Sequence, residues 1–383
     1  MNGKSKITTD SGDSLCGFHL GKDEWDMTVN KNVIQRLQGL LDQAVESGKE
    51  CGCQLAVYEN GELVADLCAG YTTPERTQEV MPDTLFPVFS VGKGIFSTAA
   101  HRLIEKGGLT YSTRIGDLWQ EFDCAGKEAV LLWHILTHRG ALFHNPDWQT
   151  YEELADWQTM CSRIAAMRPA WKPGTRCHYH PYTFAWLLGE PLSRADGRSL
   201  PQILKDEVIA PLRLEKEMYF GLDDGAAERL APVDASQVSF VDACVQSVAS
   251  PVIQRACIPS FNGIMSARAI ARHYAALDTE VDGVRLLKPE TVAHAAVTRR
   301  AADDPVDPVD CWPRFGLGYV THGFENDLSG LIGHGGAIGS EGLLDRRRHI
   351  ALGFTKNRMD PNHPNHPLRD SIAMELGLPI RHW

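Results

Sequence analysis

Apolar positions follow two rhythms along the chain, one near 3.6 residues and one of two, and their alternation outlines the elements. Val33, Ile34, Leu37, Leu40, Leu41 and Ala44 form one stripe, which predicts a first helix ending near Gly48. Cys53 to Tyr58 and Leu63 to Ala69 are strand-like runs flanking Glu59-Asn60-Gly61-Glu62. Asn-Gly between such runs is the strongest short-range hairpin signal, so an antiparallel sheet begins here. Thr84 to Phe89 is β-prone but interrupted by Pro87, a short strand or an extended approach. Ile95, Phe96, Ala99, Ala100, Leu103 and Ile104 return to helical spacing, and Gly107-Gly108 stops the run.

The middle of the chain keeps the helical rhythm. Ala129 to His138 reads as a short apolar helix, Leu154 to Met167 as one helical stripe, and Phe184 to Leu192 and Pro201 to Ile209 as further helices. Pro173-Gly174 punctuates a turn between them. Ser266 caps a helix running to Leu277, after which strand-like runs return at Phe315 to Val320, Gly339 to Leu344 and His349 to Thr355. Such an order predicts an α/β (α+β) fold, an antiparallel sheet flanked by helices with an all-helical domain inserted. The boundaries read as an arm over 1–30, an α/β domain built from 31–110 and 255–383, and a helical insert over 111–254. The prolines from Pro361 to Pro367 mark a turn.

Composition narrows the partners. The 383 residues are 43% hydrophobic and 23% charged, with a net charge of −11 and no long basic run. That excludes nucleic acid and a membrane surface as main partners. The first 20 residues show no apolar h-region, and no stretch reaches the ~20 apolar residues of a membrane span. Ten scattered cysteines without an export signal are expected as free thiols in the cytoplasm. The pattern is silent on oligomeric state.

Candidate chemistry starts at Ser90-Val91-Gly92-Lys93, the only Ser-x-x-Lys in the chain, on the predicted strand-to-helix junction. Ser90 would sit where the helix dipole favours negative charge, and Lys93, one turn on, can reach its oxygen. A helix N-cap serine with a surface lysine is the competing account, so the motif needs partners. Two later stretches offer them. Tyr179 follows a turn and precedes an apolar helix, and Gly333-His334-Gly335-Gly336-Ala337 places a Gly-flanked histidine at the head of a strand. These glycines would let a substrate approach the backbone.

On three motifs in order, Ser90-Val91-Gly92-Lys93, Tyr179-His180-Pro181 and His334-Gly335-Gly336, the chain resembles the serine β-lactamase and penicillin-binding-protein superfamily. Within it the likeness is to the family VIII carboxylesterases, over roughly residues 30 to 375. Supporting stretches include Leu136-Thr137-His138, Tyr182 to Glu190, Asn262-Gly263 and Phe315-Gly316-Leu317-Gly318. The resemblance implies a β-lactamase/DD-peptidase-like fold and an acylated nucleophile at Ser90 with Lys93 beside it. It further implies Tyr179 as general base and an oxyanion hole from the N–H groups of Ser90 and Ala337, beside His334, Gly335 and Gly336. A free phenol titrates near 10, so Tyr179 needs Lys93, and a protonated His334, to favour its phenolate. Whether Lys93 or Tyr179 takes the Ser90 proton stays open at this point.

Departures from the β-lactamase pattern shift the expected substrate. Pro181 stands where those enzymes carry the Asn of Tyr-x-Asn, and His334-Gly335-Gly336 replaces Lys-Thr-Gly. The chain thus lacks an amide to grip a β-lactam and a permanent cation to hold a carboxylate. Both changes favour a small neutral ester, with β-lactamase, D-amino-acid peptidase or amidase, acyl-transferase and a non-catalytic binding relative as alternatives. No cofactor is implied. His134 and His138, spaced i, i+4 with His144 nearby, resemble a zinc pair, but no Glu follows His134 and core or helix-end histidines fit better. Arg346-Arg347-Arg348 reads as a solvated turn, as do Lys172 and Arg176, and no Gly-x-Ser-x-Gly elbow occurs.

Overall fold

A computed structural model describes residues 29–238, 241, 243–297, 299, 314–322, 330–360 and 367–378. The expected arm, apart from its last two residues, and the turn at 361–366 lie outside the described residues. Helix α1 (Lys31–Glu46) is capped by Asn30, whose side chain accepts from the N–H groups of Asn32 and Val33. Strands β1 (Gly52–Glu59) and β2 (Glu62–Gly70) form the expected hairpin. Its turn carries Asn60 and Gly61 at φ +52 and +85, the pair of positive angles that Asn-Gly supplies. β3 (Phe86–Phe89) runs into α2 (Val91–Lys106).

Strands β4 (Met218–Tyr219) and β5 (Gly263–Met265) join β3 in a small sheet of order β3-β5-β4. The remaining strands are β6 (Arg314–Phe315), β7 (Val320–His322), β8 (Leu331–Gly335), β9 (Glu341–Asp345) and β10 (Ile350–Lys356). With the first hairpin they build a seven-stranded antiparallel sheet of order β2-β1-β10-β9-β8-β7-β6. β1 is buried on both faces because helices cover both. Leu55 and Val57 pack with Leu37, Leu41 and Ile372 on one side. Ala56 and Tyr58 face the core that holds Ile270 and Tyr274 of the helix Ala267–Asp278. This alternation is the strand period expressed in a two-sided core.

Several expected elements differ in detail. The stripe from Leu154 to Met167 is two helices, Tyr151–Ala155 and Trp157–Ala166. Asp156 caps the second, its side chain accepting from Thr159 N–H, so a start signal overrode a continuous apolar face. Phe315 to Val320 is a hairpin rather than one strand: Phe315 pairs with Val320, and Gly316 N–H donates to Tyr319 O at 2.9 Å. Pro201 to Ile209 divides into the helix Leu200–Leu204 and a π-turn Lys205–Ile209. The arginine turn is not solvated throughout. Arg348 donates to Asp345 and to the Leu376 carbonyl, Arg346 lies 3.7 Å from Asp278, and only Arg347 of the three is exposed. Among the described residues no helix is long and apolar enough to cross a membrane.

Candidate active site

The junction of β3 and α2 is strained. Phe89 is wholly buried at φ +51, a region costly for a side-chain-bearing residue. Ser90 follows in helical conformation (φ −68°, ψ −8°) and makes no side-chain cap bond to its own helix, which removes the N-cap account. Its hydroxyl instead accepts from Lys93 Nζ at 3.0 Å. Lys93 is no surface residue; it is wholly buried, and Nζ also donates to the Ser260 carbonyl at 2.5 Å. Ser260 is in turn fixed by its hydroxyl, which donates to Tyr182 O at 2.8 Å.

Tyr179 lies on the same ammonium, with Lys93 Nζ 4.9 Å from its ring centroid. The ring is stacked on Phe315 at 5.9 Å and 6°, and touches His138 at 4.8 Å and His334 at 6.1 Å between centroids. Ser90, Lys93, Tyr179 and His334, far apart in sequence, are therefore brought to one place. His334 is buried and stands near the C-terminal end of β8, not at the head of a strand as its glycines suggested. Its Nδ1 lies 2.8 Å from Gly335 O.

The glycines after His334 also serve differently from expectation. A Cβ at Gly336 would lie 2.3 Å from the Val88 carbonyl, and one at Gly335 3.0 Å from the Glu341 carboxylate. The close approaches are to the protein's own β3 and β9, and they seat the turn against the strand that leads to Ser90. That turn is closed by Gly336 N–H to Ser340 O at 2.8 Å and Gly339 N–H to Gly336 O at 2.9 Å, and it carries Ala337 exposed at its tip.

Burial favours the neutral form of three histidines near the site, His138, His180 and His134. Burial, and then the charges of His180, Lys93, His334 and His178, push His138 well below the usual range. Burial likewise takes His180 down to about 3 and His134 to about 4. His134 Nδ1 accepts Leu131 N–H at 3.1 Å, a helix-end role. Among the described residues, no group of three or more His, Cys, Asp or Glu could hold a metal ion. Lys172 is exposed, and the Arg176 guanidinium sits 4.5 Å over the Trp171 ring. Ser260 lies outside the motifs, and the stretches that contain Phe315 and His138 do not mark them as partners of Tyr179. Each acts through a tertiary contact that no local pattern announces.

A model of the beta-lactamase family matches residues 37–375. The esterase/beta-lactamase LipL of Mycobacterium tuberculosis is 27% identical over 340 residues, 80% of this chain and 77% of that protein. Among solved structures, a family VIII carboxylesterase superposes with a TM-score of 0.81 at 26% identity, over 92% of this chain and 98% of the other. A penicillin-binding-protein homologue from Caulobacter crescentus gives 0.78 at 27% identity, over the same shares of the two chains.

Proposed function

We propose, for a chain that belongs to the beta-lactamase family, that it hydrolyses small carboxylic acid esters through a covalent acyl-enzyme on Ser90. The observation that carries this reading is the 3.0 Å bond from Lys93 Nζ to Ser90 Oγ, with the Tyr179 ring against the same ammonium. In this mechanism Lys93, a donor to both Ser90 and Ser260, holds the hydroxyl and steadies negative charge on Ser90 and on Tyr179. Tyr179, as phenolate, takes the Ser90 proton while Oγ attacks the ester carbonyl. The oxyanion is received by the N–H groups of Ser90 and Ala337, worth about 3–4 kcal/mol for a good donor. Tyr179 then gives the proton to the departing alkoxide, leaving the acyl-enzyme. It next deprotonates water, whose attack releases the carboxylic acid, and returns that proton to the departing Ser90 Oγ.

The ester preference rests on two side chains. Pro181 offers no amide, and buried His334 stands where a permanent cation would hold a substrate carboxylate. The occupant is thus a neutral small-molecule ester. A cytoplasmic setting belongs to the same reading, supported by seven free cysteines among the described residues. Rates on p-nitrophenyl esters, nitrocefin and D-amino-acid amides test the substrate class; a nitrocefin rate exceeding the ester rate would refute it. Ser90→Ala should abolish ester hydrolysis and labelling by a fluorophosphonate at a stability cost of about 1 kcal/mol or less. An Ala variant that keeps most of its turnover would show that the nucleophile lies elsewhere.

A further inference from the structure

His138 takes no part in the steps above, yet it sits at the centre of the stitching that holds Tyr179. It follows the short helix Leu132–Leu136, wholly buried and at φ +57. Here the segments 137–142 and 174–183 run past each other. Gly174 N–H donates to Arg139 O at 2.9 Å, and Cys177 Sγ to Thr137 O at 3.5 Å. His178 N–H donates to His138 O at 2.9 Å, and His180 N–H to His138 Nδ1 at 3.1 Å. In return Leu142 N–H donates to His180 Nε2 at 3.2 Å, and Thr183 Oγ1 to Leu142 O at 2.7 Å.

Tyr179 is the residue between the two N–H groups that His138 receives, and their rings lie 4.8 Å apart. A packing histidine would need only its volume. This one spends its carbonyl on the residue before Tyr179, its ring nitrogen on the residue after, and its ring face on Tyr179 itself. The acceptor role also fixes the tautomer, because Nδ1 must keep its lone pair and the proton then sits on Nε2. Burial first, and then the charges of His180, Lys93, His334 and His178, oppose a second proton on the ring.

We propose that His138 is a positioning residue for Tyr179, a neutral acceptor that pins both flanking residues and so sets the phenol over Lys93. This rests on the reading of Tyr179 as the base. Three substitutions separate its parts. His138→Asn brings an amide oxygen near the place of Nδ1 and tolerates positive φ. His138→Gln carries its amide one bond farther out, and His138→Phe keeps a ring without an acceptor.

Gln and Phe should lose about 10–100-fold in kcat on a p-nitrophenyl ester, with KM moved by less than about 3-fold, the size expected for a misplaced catalytic group. Asn should recover about ten-fold or more over Phe. The acidic limb of the kcat/KM profile should move up by about one pH unit in Gln and Phe, because a phenol displaced from Lys93 loses its charge support. In a Tyr179→Phe background the His138 substitutions should cost nothing further, since they act through the missing hydroxyl. A merely structural role would move the melting temperature but neither the limb nor this non-additivity.

Wild-type kcat and limb in Gln and Phe, a loss that multiplies in full with that of Tyr179→Phe, or an Asn variant as impaired as Phe would each overturn the proposal. If the Phe variant does not fold, the Asn and Gln pair carries the same comparison. Full activity in Tyr179→Phe alone would instead remove the base assignment and this inference with it, a result distinct from the others.

Discussion

At Phe89 a bulky side chain is held at φ +51 inside the core, an arrangement that costs about 1–2 kcal/mol. The next residue is Ser90, whose hydroxyl is given to Lys93 and not to its own helix. Strain of this kind persists only where surrounding packing over-determines it. With Lys93 between the Ser90 and Tyr179 positions, geometry matters as much as charge. Tyr179→Phe should keep the stacking on Phe315 and lower turnover by about 10²–10⁴-fold, the usual contribution of a general base. Lys93→Arg should be comparably impaired, since a planar guanidinium cannot replace a compact ammonium in that site. Steady-state kinetics with melting temperatures as a folding control would check both; near-normal turnover in either variant contradicts the proposed roles. The four side chains supplied by the motifs meet in space, which their order and chemistry made legible. The strain at Phe89, the Ser260 acceptor and the His138 clamp were not, because each depends on a neighbour at least 35 residues away or on a backbone angle without a Gly to mark it.

Helix α2, which follows Ser90 and carries Lys93, is anchored at its far end by one carboxylate. Glu207, wholly buried on the π-turn Lys205–Ile209, meets Arg102 at 3.1 Å and Lys106 at 2.5 Å from α2, and Arg198 at 2.7 Å. Burial pushes its carboxyl up, and hydrogen bonds from Lys106, Arg198 and Arg102 more than reverse this, leaving it below the usual range. Glu207→Gln keeps the volume and leaves three cations facing a neutral amide, at a cost of about 3 kcal/mol. Denaturant unfolding should register the loss while kcat per folded molecule stays near wild type; an unchanged midpoint would show the network to be dispensable. At this scale the periodic segments were readable where one face alone is buried, as in α1. They misled where a polar cap cut a continuous stripe at Asp156, and where a two-residue strand gave no room for alternation at Phe315.

For the molecule as a whole, acid sensitivity follows from buried histidines. Burial takes His101 and His134 down to about 4, His180 and His273 to about 3, and His138 well below the usual range. Each contributes stability that is complete above its unfolded value near 6.5 and is lost as pH falls toward the folded value. Burial raises Glu50 and Glu341 to about 7, which acts the other way: their contribution is complete below about 4.5 and lost as pH rises toward 7. Among these seven groups, five against two, the unfolded state binds more protons between pH 6.5 and 4.5. The melting temperature should therefore drop by several degrees from pH 7 to pH 5, and a flat or rising profile would contradict this balance. That strands at 52–70 and 314–356 share one sheet was foreseeable from the return of period-two runs late in the sequence. Their neighbour order was not, because pairing is decided by long-range register.

In that order, β10 is the strand that joins β1 to β9. During synthesis the first hairpin and Ser90 emerge roughly 260 to 300 residues before Lys356 does. Until then nothing links β1 to the part of the sheet that carries His334, and the edge of β1 stays open to other chains. The nascent enzyme must wait, exposed and inactive, for a seven-residue strand made about 260 residues after Ser90.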